Sequence, residues 1–482
     1  MLPAILKNRP RPVSFLLATL VALDLRALGA FRIGLASLII VDLCFRAQDL
    51  EALYSDSGVL PLGQLVSHGV LTTWLSPHLW ANSPFEVALL FALAGLAALG
   101  MLLGVKTRWM VAASWILLHS LQTRNPYVNH AGDKLLLLML FWGFFLPLDR
   151  HYRLPFPLRR KGEHDENKEH RLASFATAGI LIQFASVYFM GALRKTGTMW
   201  QEGTAIWYTL HIDQYAWPWT RSLTLYPNLL QALTYATLAI EFAAPILLFT
   251  GLTKIRGLGL LLIAGLHLGF LACLNLGLFP IFSLVICSFA IPWKPLSQAR
   301  ISKSFEMAPL DWKNRIAGYL VATLVVWHSL TIFYYPEEIK ERLPGPIRAS
   351  LEFIQFDQYW SMFAPNPMTI DGWYIIPATL SSGKTVNLLT AGAPLTWEKP
   401  TSVPDSFPSD RWKEYLMTLS DLGDPPEQWN QVVNILSQQF QQDSSDQIID
   451  GTARVIYMME KTVPGGEAPP IQEQAWPKED SL

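Results

Sequence analysis

Long apolar runs that carry almost no charge are the strongest constraint on the fold of this 482-residue chain. Hydrophobic residues make up 51% of the sequence and charged residues 16%, and the apolar residues collect in continuous stretches instead of alternating with polar ones. A helix needs about 20 such residues to cross the roughly 30 Å hydrocarbon core of a bilayer. The chain is therefore predicted to be an integral membrane protein.

Nine apolar stretches are candidate membrane spans, so the predicted fold class is an all-α polytopic membrane helix bundle of about nine transmembrane helices. They are Leu28–Phe45, Pro84–Leu103, Trp109–Leu121, Leu135–Leu148, Leu172–Leu193, Leu229–Gly251, Gly257–Asn275, Gly277–Pro292 and Ile316–Tyr335. The third and fourth stretches are the shortest.

Lysine and arginine recur in every second connection between these stretches. Cytoplasmic connections of membrane proteins carry an excess of these residues, so the basic segments are predicted to be cytoplasmic and the others to lie on the opposite side. The basic segments are Lys7–Arg11, Lys106–Arg108, Arg150–Arg171, Lys254–Arg256 and Lys294–Arg315, and the others include Gln48–Ser83, Gln122–Lys134 and Arg194–Asn228. Nine spans then place the C-terminal region outside.

The chain becomes polar after Tyr335, where alternating stretches such as GWYIIPATL and ARVIYMMEKTV predict strands. We divide the sequence into a cytoplasmic or interfacial N-terminal segment (1–24), a transmembrane domain (25–336), a small non-cytoplasmic α+β domain (337–463) and a disordered tail (464–482). The net charge of −1 implies no nucleic-acid partner. Three cysteines in apolar runs, without metal-ligand spacing, predict neither disulfide nor metal site.

Polar residues at or within the apolar stretches are the candidate site residues, because such groups are costly in a membrane. The predicted outer connection RNPYVNHAGDK contains Asn129, His130 and Asp133. Helix capping explains Asp133, and the whole connection can be read as a capping loop. An imidazole beside an amide can instead hold a small substrate near neutral pH, which makes Asn129 and His130 candidates.

A second set follows the fifth predicted span, in VYFMGALRKTGTMWQEG. Arg194, Lys195 and Trp200 are typical of interfacial anchoring. The two cations, however, lie at the predicted outer end, where insertion does not favour them. Burial beside a second cation would favour the neutral amine of Lys195 and make it a base, a role that the permanently charged Arg194 cannot take.

A third set consists of Glu241 and His267, two ionisable residues within apolar stretches. They either line a polar cavity or pair with each other in the bundle. Arg32, Asp42 and Arg46 in the first predicted span are expected to be structural.

These motifs resemble the horizontally transferred transmembrane (HTTM) domain family, which includes vitamin K-dependent gamma-glutamyl carboxylase. The resemblance covers roughly Leu25–Asp371. Its segments occur in the family's order and are FRIGLASLIIVDLCFRA, YSDSGVLP, NPYVNHAGDKLLLLMLFWGFFLPL, VYFMGALRKTGTMWQEGTAIWY, AIEFAAPILLF, HLGFLACLNLGLFP and QYWSMFAPNP.

The resemblance implies a carboxylase-like lyase in a bacterial cytoplasmic membrane that uses a reduced quinone such as vitamin K hydroquinone, with O2 and CO2. It assigns Lys195 as the base that deprotonates the quinol, with Arg194 as the first residue of the family's lysine pair. It assigns Asn129 and His130 to holding the reacting groups. We keep Arg194, Trp200, Glu241 and His267 as second-rank quinone-binding residues. The chain after MFAPNP is shorter than in the carboxylase, which argues against capture of propeptide-bearing substrates.

Two other functions are compatible with the sequence. One is a non-catalytic membrane protein that binds lipid or quinone, or scaffolds a protein partner through the C-terminal domain. The other is a transporter, in which Pro245 and Pro280 break helices at a substrate site. The lack of an internal repeat at the level of short motifs argues against the transporter.

Overall fold

The computed structural model describes residues 12–67, 76–153, 170–292, 305–422, 426–464 and 470–476. The helices are α1 (Pro12–Val21), α2 (Leu25–Ala47), α3 (Leu50–Tyr54), α4 (Leu62–Ser67), α5 (Pro84–Leu103), α6 (Thr107–Arg124), α7 (Ala131–Phe145), α8 (Phe175–Arg194), α9 (Thr198–Gln201), α10 (Ala205–Thr209), α11 (Pro227–Leu248), α12 (Thr253–Cys273), α13 (Phe279–Cys287), α14 (Trp312–Leu330), α15 (Pro336–Arg342), α16 (Gly345–Phe353), α17 (Asp410–Asp421) and α18 (Pro426–Asp443). The strands are β1 (Leu23–Asp24), β2 (Arg171–Ala173), β3 (Glu306–Met307), β4 (Ile370–Ile375), β5 (Pro377–Thr379), β6 (Thr385–Asn387), β7 (Ala393–Pro394), β8 (Val455–Lys461) and β9 (Gln472–Trp476).

A helix lies at each of the nine predicted spans, namely α2, α5, α6, α7, α8, α11, α12, α13 and α14. Five of them, α2, α5, α8, α11 and α12, are long and apolar enough to cross a membrane by length and composition. Large apolar side chains such as Phe85, Leu96 and Leu261 are exposed on this bundle. These features define a helical membrane protein.

Local signals set the ends of these helices, as α5 illustrates. Ser83 and Glu86 form a capping box at its start, where Pro84 occupies the first turn. Gly104 ends the helix with a φ of 76°, a left-handed conformation that favours glycine. A Cβ atom at Gly104 would also lie 2.2 Å from Nη1 of Arg32, so a larger residue would displace that side chain.

One end of the bundle carries a small sheet built from segments that are distant in sequence. Strand β2 pairs antiparallel with β1 and parallel with β3, so Leu172 lies opposite both Leu23 and Glu306. Arg150 Nη1 donates to Glu306 at 2.8 Å, and Arg256 Nη1 donates to the Ala22 carbonyl at 2.9 Å. Three of the predicted cytoplasmic segments therefore meet at one end; the segment Lys7–Arg11 lies outside the described residues.

The C-terminal domain combines two small sheets, ordered β4-β8-β9 and β5-β6-β7, with helices α17 and α18. The strands predicted in GWYIIPATL and ARVIYMMEKTV are confirmed as β4, β5 and β8. The predicted disordered tail is wrong for Gln472–Trp476, which pairs with β8 as β9. Trp476 is fully buried and stacks on Trp429 with ring centroids 4.2 Å apart, and this burial outweighs the polar composition around it. Residues 465–469 and 477–482 lie outside the described part of the chain.

Four buried acidic and basic side chains join the C-terminal domain to the other end of the bundle, and we call them the interdomain cluster: Asp42 and Arg46 on α2, Asp133 on α7 and Arg411 on α17. Arg411 lies 2.7 Å from Asp42 and 2.6 Å from Asp133, and Arg46 lies 2.8 Å from Asp42. The expected structural role of Asp42 and Arg46 agrees with this pairing. Arg32 donates to the Tyr152 carbonyl at 2.6 Å.

The predicted outer connections all contact the C-terminal half of the chain. Tyr415 donates to the Val59 carbonyl at 3.1 Å, and Arg411 donates to the Val128 carbonyl at 2.9 Å. The Gly197 amide donates to the Pro365 carbonyl at 3.0 Å. These connections therefore lie at the same end of the bundle as the C-terminal domain.

Candidate functional site

A cavity of about 460 Å³ lies between the bundle and the C-terminal half of the chain. Its walls come from α8, α10, α11, α12 and α13, from the segment Met362–Met368 and from α17. Apolar and aromatic side chains such as Val187, Leu266, Phe270 and Phe279 dominate the lining. Its volume and lining are typical of a pocket for a small, mostly apolar ligand.

Lys195 and Glu241 form an ion pair in the wall of this cavity, which we call the cavity pair. Lys195 caps the C-terminus of α8, and its Nζ lies 2.9 and 2.7 Å from the two carboxylate oxygens of Glu241 on α11. Both residues are buried, with 7% and 6% exposure. Burying a charge in an apolar wall is costly unless the charge is paired, so ion pairs are uncommon in such walls. This pair places a proton donor and a proton acceptor side by side.

Arg194 points away from the cavity, so the second cation invoked for Lys195 is not beside its amine. The Arg194 guanidinium lies 4.0 Å from the Tyr359 ring centroid and donates to the carbonyls of Trp360 and Thr331 at 3.3 and 3.1 Å. The prediction that a neighbouring cation activates Lys195 is wrong, because its charged neighbour is the Glu241 carboxylate.

Trp200 closes the cavity beside the cavity pair. The Lys195 Nζ lies 5.1 Å from its ring centroid, within the range of a cation–π contact. Its indole Nε1 donates to the Phe363 carbonyl at 2.9 Å, and its exposure is 3%. Trp200 is therefore a buried cavity residue, and the interpretation as an interfacial anchor is wrong for it. Asn366 Oδ1 fixes the same turn by accepting from the Met199 amide at 3.1 Å.

Glu241 and His267 both line the cavity, but they do not pair with each other. His267 Nε2 lies 2.8 Å from the Tyr188 hydroxyl, whereas Glu241 pairs with Lys195. The alternative of mutual pairing is therefore wrong. The other ring nitrogen of His267, Nδ1, is buried and has no hydrogen-bond partner among the described residues.

His130 lines the cavity and is also the N-cap of α7. The Gly132 amide donates to its Nδ1 at 3.1 Å, which leaves Nε2 as the protonated nitrogen of a neutral ring. Burial lowers the pKa of His130, while Asp133 raises it, so the ring is neutral at neutral pH. Nε2 is buried without a hydrogen-bond partner among the described residues, and the ring lines the cavity.

Asn129 lies next to His130 but outside the cavity lining. Its Nδ2 donates to the Gln122 carbonyl at 2.8 Å, which ties the loop to the end of α6. In the structure Asn129 thus positions the His130 loop. The adjacent Asp133 belongs to the interdomain cluster as well as capping α7.

Glu414, on α17 of the C-terminal domain, is a cavity residue that the sequence did not predict. Burial raises the pKa of its carboxyl to about 7. Within the sequence, RWKEYLMTL shows an amphipathic helix in a polar region, which gives no sign that a carboxylate faces an apolar cavity in another domain. Only a tertiary contact identifies it.

A separate carboxylate group lies outside the cavity. One oxygen each of Asp213, Asp371 and Glu460 falls within 4.8 Å of the others, which is metal-ligand spacing. The Lys399 ammonium, however, contacts both Asp213 and Glu460, and Arg221 contacts Asp213. These cations already compensate the negative charge, so the group is a salt-bridge cluster and carries no metal assignment.

The fold and the site together define a class: a polytopic helical membrane protein with a buried lysine–carboxylate pair in an apolar cavity that a C-terminal domain helps to enclose. The profile of the HTTM domain family matches residues 22–293, more than half of the chain. The chain therefore belongs to the HTTM domain family. No curated protein and no solved structure matches the chain. The matched region includes Lys195, Glu241, His267 and His130 but ends before the C-terminal domain.

Proposed function

We propose that this protein is a carboxylase-like HTTM membrane protein that binds a reduced quinone in the cavity and takes a proton from it with the cavity pair. The observation that carries the proposal is the position of Lys195 and Glu241 in the wall of an otherwise apolar cavity. A quinol is a flat, apolar ring with hydroxyl groups, and the lining combines aromatic side chains with a few polar ones. Such a combination binds apolar ligands in a fixed orientation.

The cavity pair can act as a base without a net change of charge. Transfer of one proton from Lys195 Nζ to a Glu241 oxygen leaves a neutral amine beside a neutral carboxyl. The amine then accepts the proton of a substrate hydroxyl, and the oxygen of the substrate becomes negative next to a positive ammonium. An apolar surrounding favours this route because it makes an unpaired charge costly.

Two histidines are placed to orient the substrate. His130 Nε2 and His267 Nδ1 are buried polar atoms without partners among the described residues, and both rings line the cavity. A ligand oxygen that accepts a hydrogen bond from His130 Nε2 would give this nitrogen a partner. The ligand would then be held at a fixed position relative to the cavity pair. Asn129 acts one step further away by fixing the loop that carries His130.

The complete reaction is implied by the family resemblance. Four-electron oxidation of the quinol by O2 gives the quinone epoxide and water, one oxygen atom going to each, and the proton removed from a glutamate γ-carbon is replaced by CO2. The contribution of this chain is to bind and deprotonate the quinol and to exclude water. Water exclusion protects a strongly basic intermediate from quenching.

We further propose nine membrane spans, with the N-terminus in the cytoplasm and the C-terminal domain outside, in a bacterial cytoplasmic membrane. The alternation of basic connections supports this orientation, and the three basic segments gathered at the β1-β2-β3 end agree with it. Membrane lipid surrounds the bundle, and the C-terminal domain is the surface available to a protein partner.

The test uses the full-length protein in lipid discs with vitamin K hydroquinone, O2, labelled CO2 and glutamate-containing peptides. We expect quinol oxidation, and loss of at least about 100-fold of that rate in Lys195→Met, which is the usual contribution of a general base. The matched control is Lys340→Met, which removes a lysine that pairs with Asp357 at 3.3 Å outside the cavity. An unchanged rate in Lys195→Met would contradict the proposal.

The non-catalytic function remains a second candidate, because Glu241 holds the Lys195 ammonium in an ion pair. It predicts that the native protein binds the quinol without oxidising it. Lys195→Met would then change affinity only.

A further inference from the structure

The C-terminal domain supplies part of the cavity wall, including a carboxyl group. Glu414 lies on α17 and lines the same cavity as His130, Lys195 and Glu241. Residues Met362 to Met368, which precede the domain's first sheet, line it as well. The cavity is thus built jointly by the membrane bundle and a region that the family match does not reach.

The helix that carries Glu414 is held firmly by the residues next to it. Arg411 contacts Asp42 and Asp133 at 2.7 and 2.6 Å, and Lys413 donates to the Asn275 carbonyl at 2.9 Å. Tyr415 donates to the Val59 carbonyl at 3.1 Å. These bonds to different parts of the bundle fix the rotation of α17 about its axis, so Glu414 is directed to the cavity.

No ion pair or hydrogen bond holds the Glu414 carboxyl group within the described part of the chain. The adjacent Lys413 ammonium pairs with Asp410 at 2.6 Å and lies 5.2 Å from the Tyr215 ring centroid. The Asp133 carboxylate of the bundle pairs with Arg46 and Arg411. Glu414 therefore differs from Asp410 and Asp133, whose carboxylates each form a direct ion pair with a cation.

We propose that Glu414 is a second acid–base group of the cavity and exchanges a proton with a substrate hydroxyl at the part of the wall that the C-terminal domain contributes. The inference rests on the proposed function and narrows the substrate class to molecules with two exchangeable protons, such as a quinol. In the step, the substrate O–H bond breaks and an O–H bond forms on the carboxylate, with no change of oxidation state. Lys195 serves one hydroxyl and Glu414 the other.

The protonation of Glu414 suits this exchange. Burial raises the pKa of its carboxyl to about 7, Lys413 and Arg411 lower it, and Asp410 and Asp133 raise it. A group that is half protonated near neutral pH can both donate and accept. The titratable and charged groups that surround it are Asp410, Arg411 and Lys413 on α17, His130 and Asp133 at the start of α7, Tyr215 after α10, and Lys195, Glu241 and His267 on the cavity walls.

Asp371 offers a matched control, because burial also raises its pKa to about 7 although it is not among the residues that line the cavity. Its carboxylate accepts a hydrogen bond from the Asp213 backbone amide and belongs to the cluster around Lys399. A titration near pH 7 by itself therefore does not identify Glu414. The result that identifies Glu414 is a proton exchange that accompanies ligand binding.

The experiment counts the protons exchanged when vitamin K hydroquinone binds anaerobically to the full-length protein, by calorimetry in buffers of different ionisation enthalpy. The native protein is expected to show a proton exchange that changes around pH 7. Glu414→Gln should lose this change and weaken binding about tenfold on one side of pH 7. Asp371→Asn should behave like the native protein.

The outcomes separate the two proposals. If the native protein and Lys195→Met both fail to bind the hydroquinone, the proposed function fails and this inference falls with it. If the native protein binds and Lys195→Met alters the proton count, but a folded Glu414→Gln keeps the native pH profile, this inference alone is overturned. Glu414→Asp, which retains a carboxyl group, should restore part of the pH dependence and thereby exclude a purely structural role.

Discussion

The interdomain cluster and the cavity pair are both buried charges, but they are arranged in opposite ways. The interdomain cluster sets two arginines against two aspartates, and every member contacts at least two partners, with exposures of 5% or less. The cavity pair has one ion pair, and the polar atoms of His130 and His267 near it have unfilled hydrogen bonds among the described residues. Buried charges whose hydrogen bonds are all formed hold the fold together, whereas buried polar atoms with unfilled hydrogen bonds around a cavity mark a place for a ligand.

The largest effect is expected from Arg411→Leu. Removing this arginine leaves Asp42 and Asp133 sharing only Arg46, and breaking a buried ion pair typically costs about 3–5 kcal/mol. We expect a large loss of thermal stability and faster proteolysis between the bundle and the C-terminal domain. The control is Arg221→Leu, whose pair with Asp213 is 38% exposed on the arginine side and should be worth about 1 kcal/mol or less. Equal effects of the two variants would contradict the assignment of Arg411 to a structural cluster.

A smaller loss of stability with a larger loss of function is expected from Glu241→Gln. The remaining lysine borders a cavity, so we expect a cost of about 1–2 kcal/mol, similar to that of an unsatisfied polar group. Quinol oxidation should fall with it, because the amine loses its proton acceptor. The double variant Lys195→Met with Glu241→Leu should recover stability but not activity, as expected for coupled residues. Additive losses of stability would show that the two side chains act independently.

The sequence predicted the bundle well because burial of apolar residues is a local signal. Helices lie at all nine predicted positions. One cavity also brings together five of the predicted site residues, which lie in or next to apolar spans: His130, Lys195, Trp200, Glu241 and His267. The pairing of polar groups was not predictable in the same way. Lys195 and Glu241 are 46 residues apart, and neither segment contains a pattern that predicts a contact with the other.

Polar residues of the C-terminal domain were the least predictable. Arg411 and Glu414 lie in a helix whose pattern suits the surface of a small domain, and only docking on the bundle buries them. Conversely, Asn129 was predicted as a site residue from its neighbour His130, yet its side chain binds the end of α6. Adjacent residues in a loop often point in different directions, so proximity in sequence does not establish a shared site.

A third prediction separates the two roles of His130. Asparagine also caps helices well, so His130→Asn should keep the N-cap of α7 and change stability by no more than about 0.5 kcal/mol. It removes the ring nitrogen that faces the cavity, and quinol binding should weaken by about tenfold, or 1.4 kcal/mol. His130→Ala should lose both the cap and the binding. If His130→Asn binds the quinol as the native protein does, His130 belongs with the structural residues.

The smallest effect concerns Asp371, which belongs neither to the interdomain cluster nor to the cavity pair. Burial, followed by the nearby Asp213, raises the pKa of Asp371 from 3.8 to about 7. The folded protein therefore keeps a proton that the unfolded chain loses, and the contribution of this group to stability is complete below about pH 4 and is lost as the pH rises to 7. In Asp371→Asn the side chain stays neutral, so the fall in thermal stability between about pH 4 and 7 should be smaller than in the native protein.

Thermal unfolding of the native protein and Asp371→Asn at a series of pH values checks this sign. Because Lys399 lowers the pKa of Asp371, Lys399→Met should have the opposite effect and steepen the pH dependence. A native protein that gains stability over this pH range, relative to Asp371→Asn, would show that Asp371 is ionised and paired in the fold. In that case Asp371 would be a paired, ionised residue like the aspartates of the interdomain cluster, whose charges are stabilised by arginine. It would then no longer be an example of an unpaired buried carboxyl group.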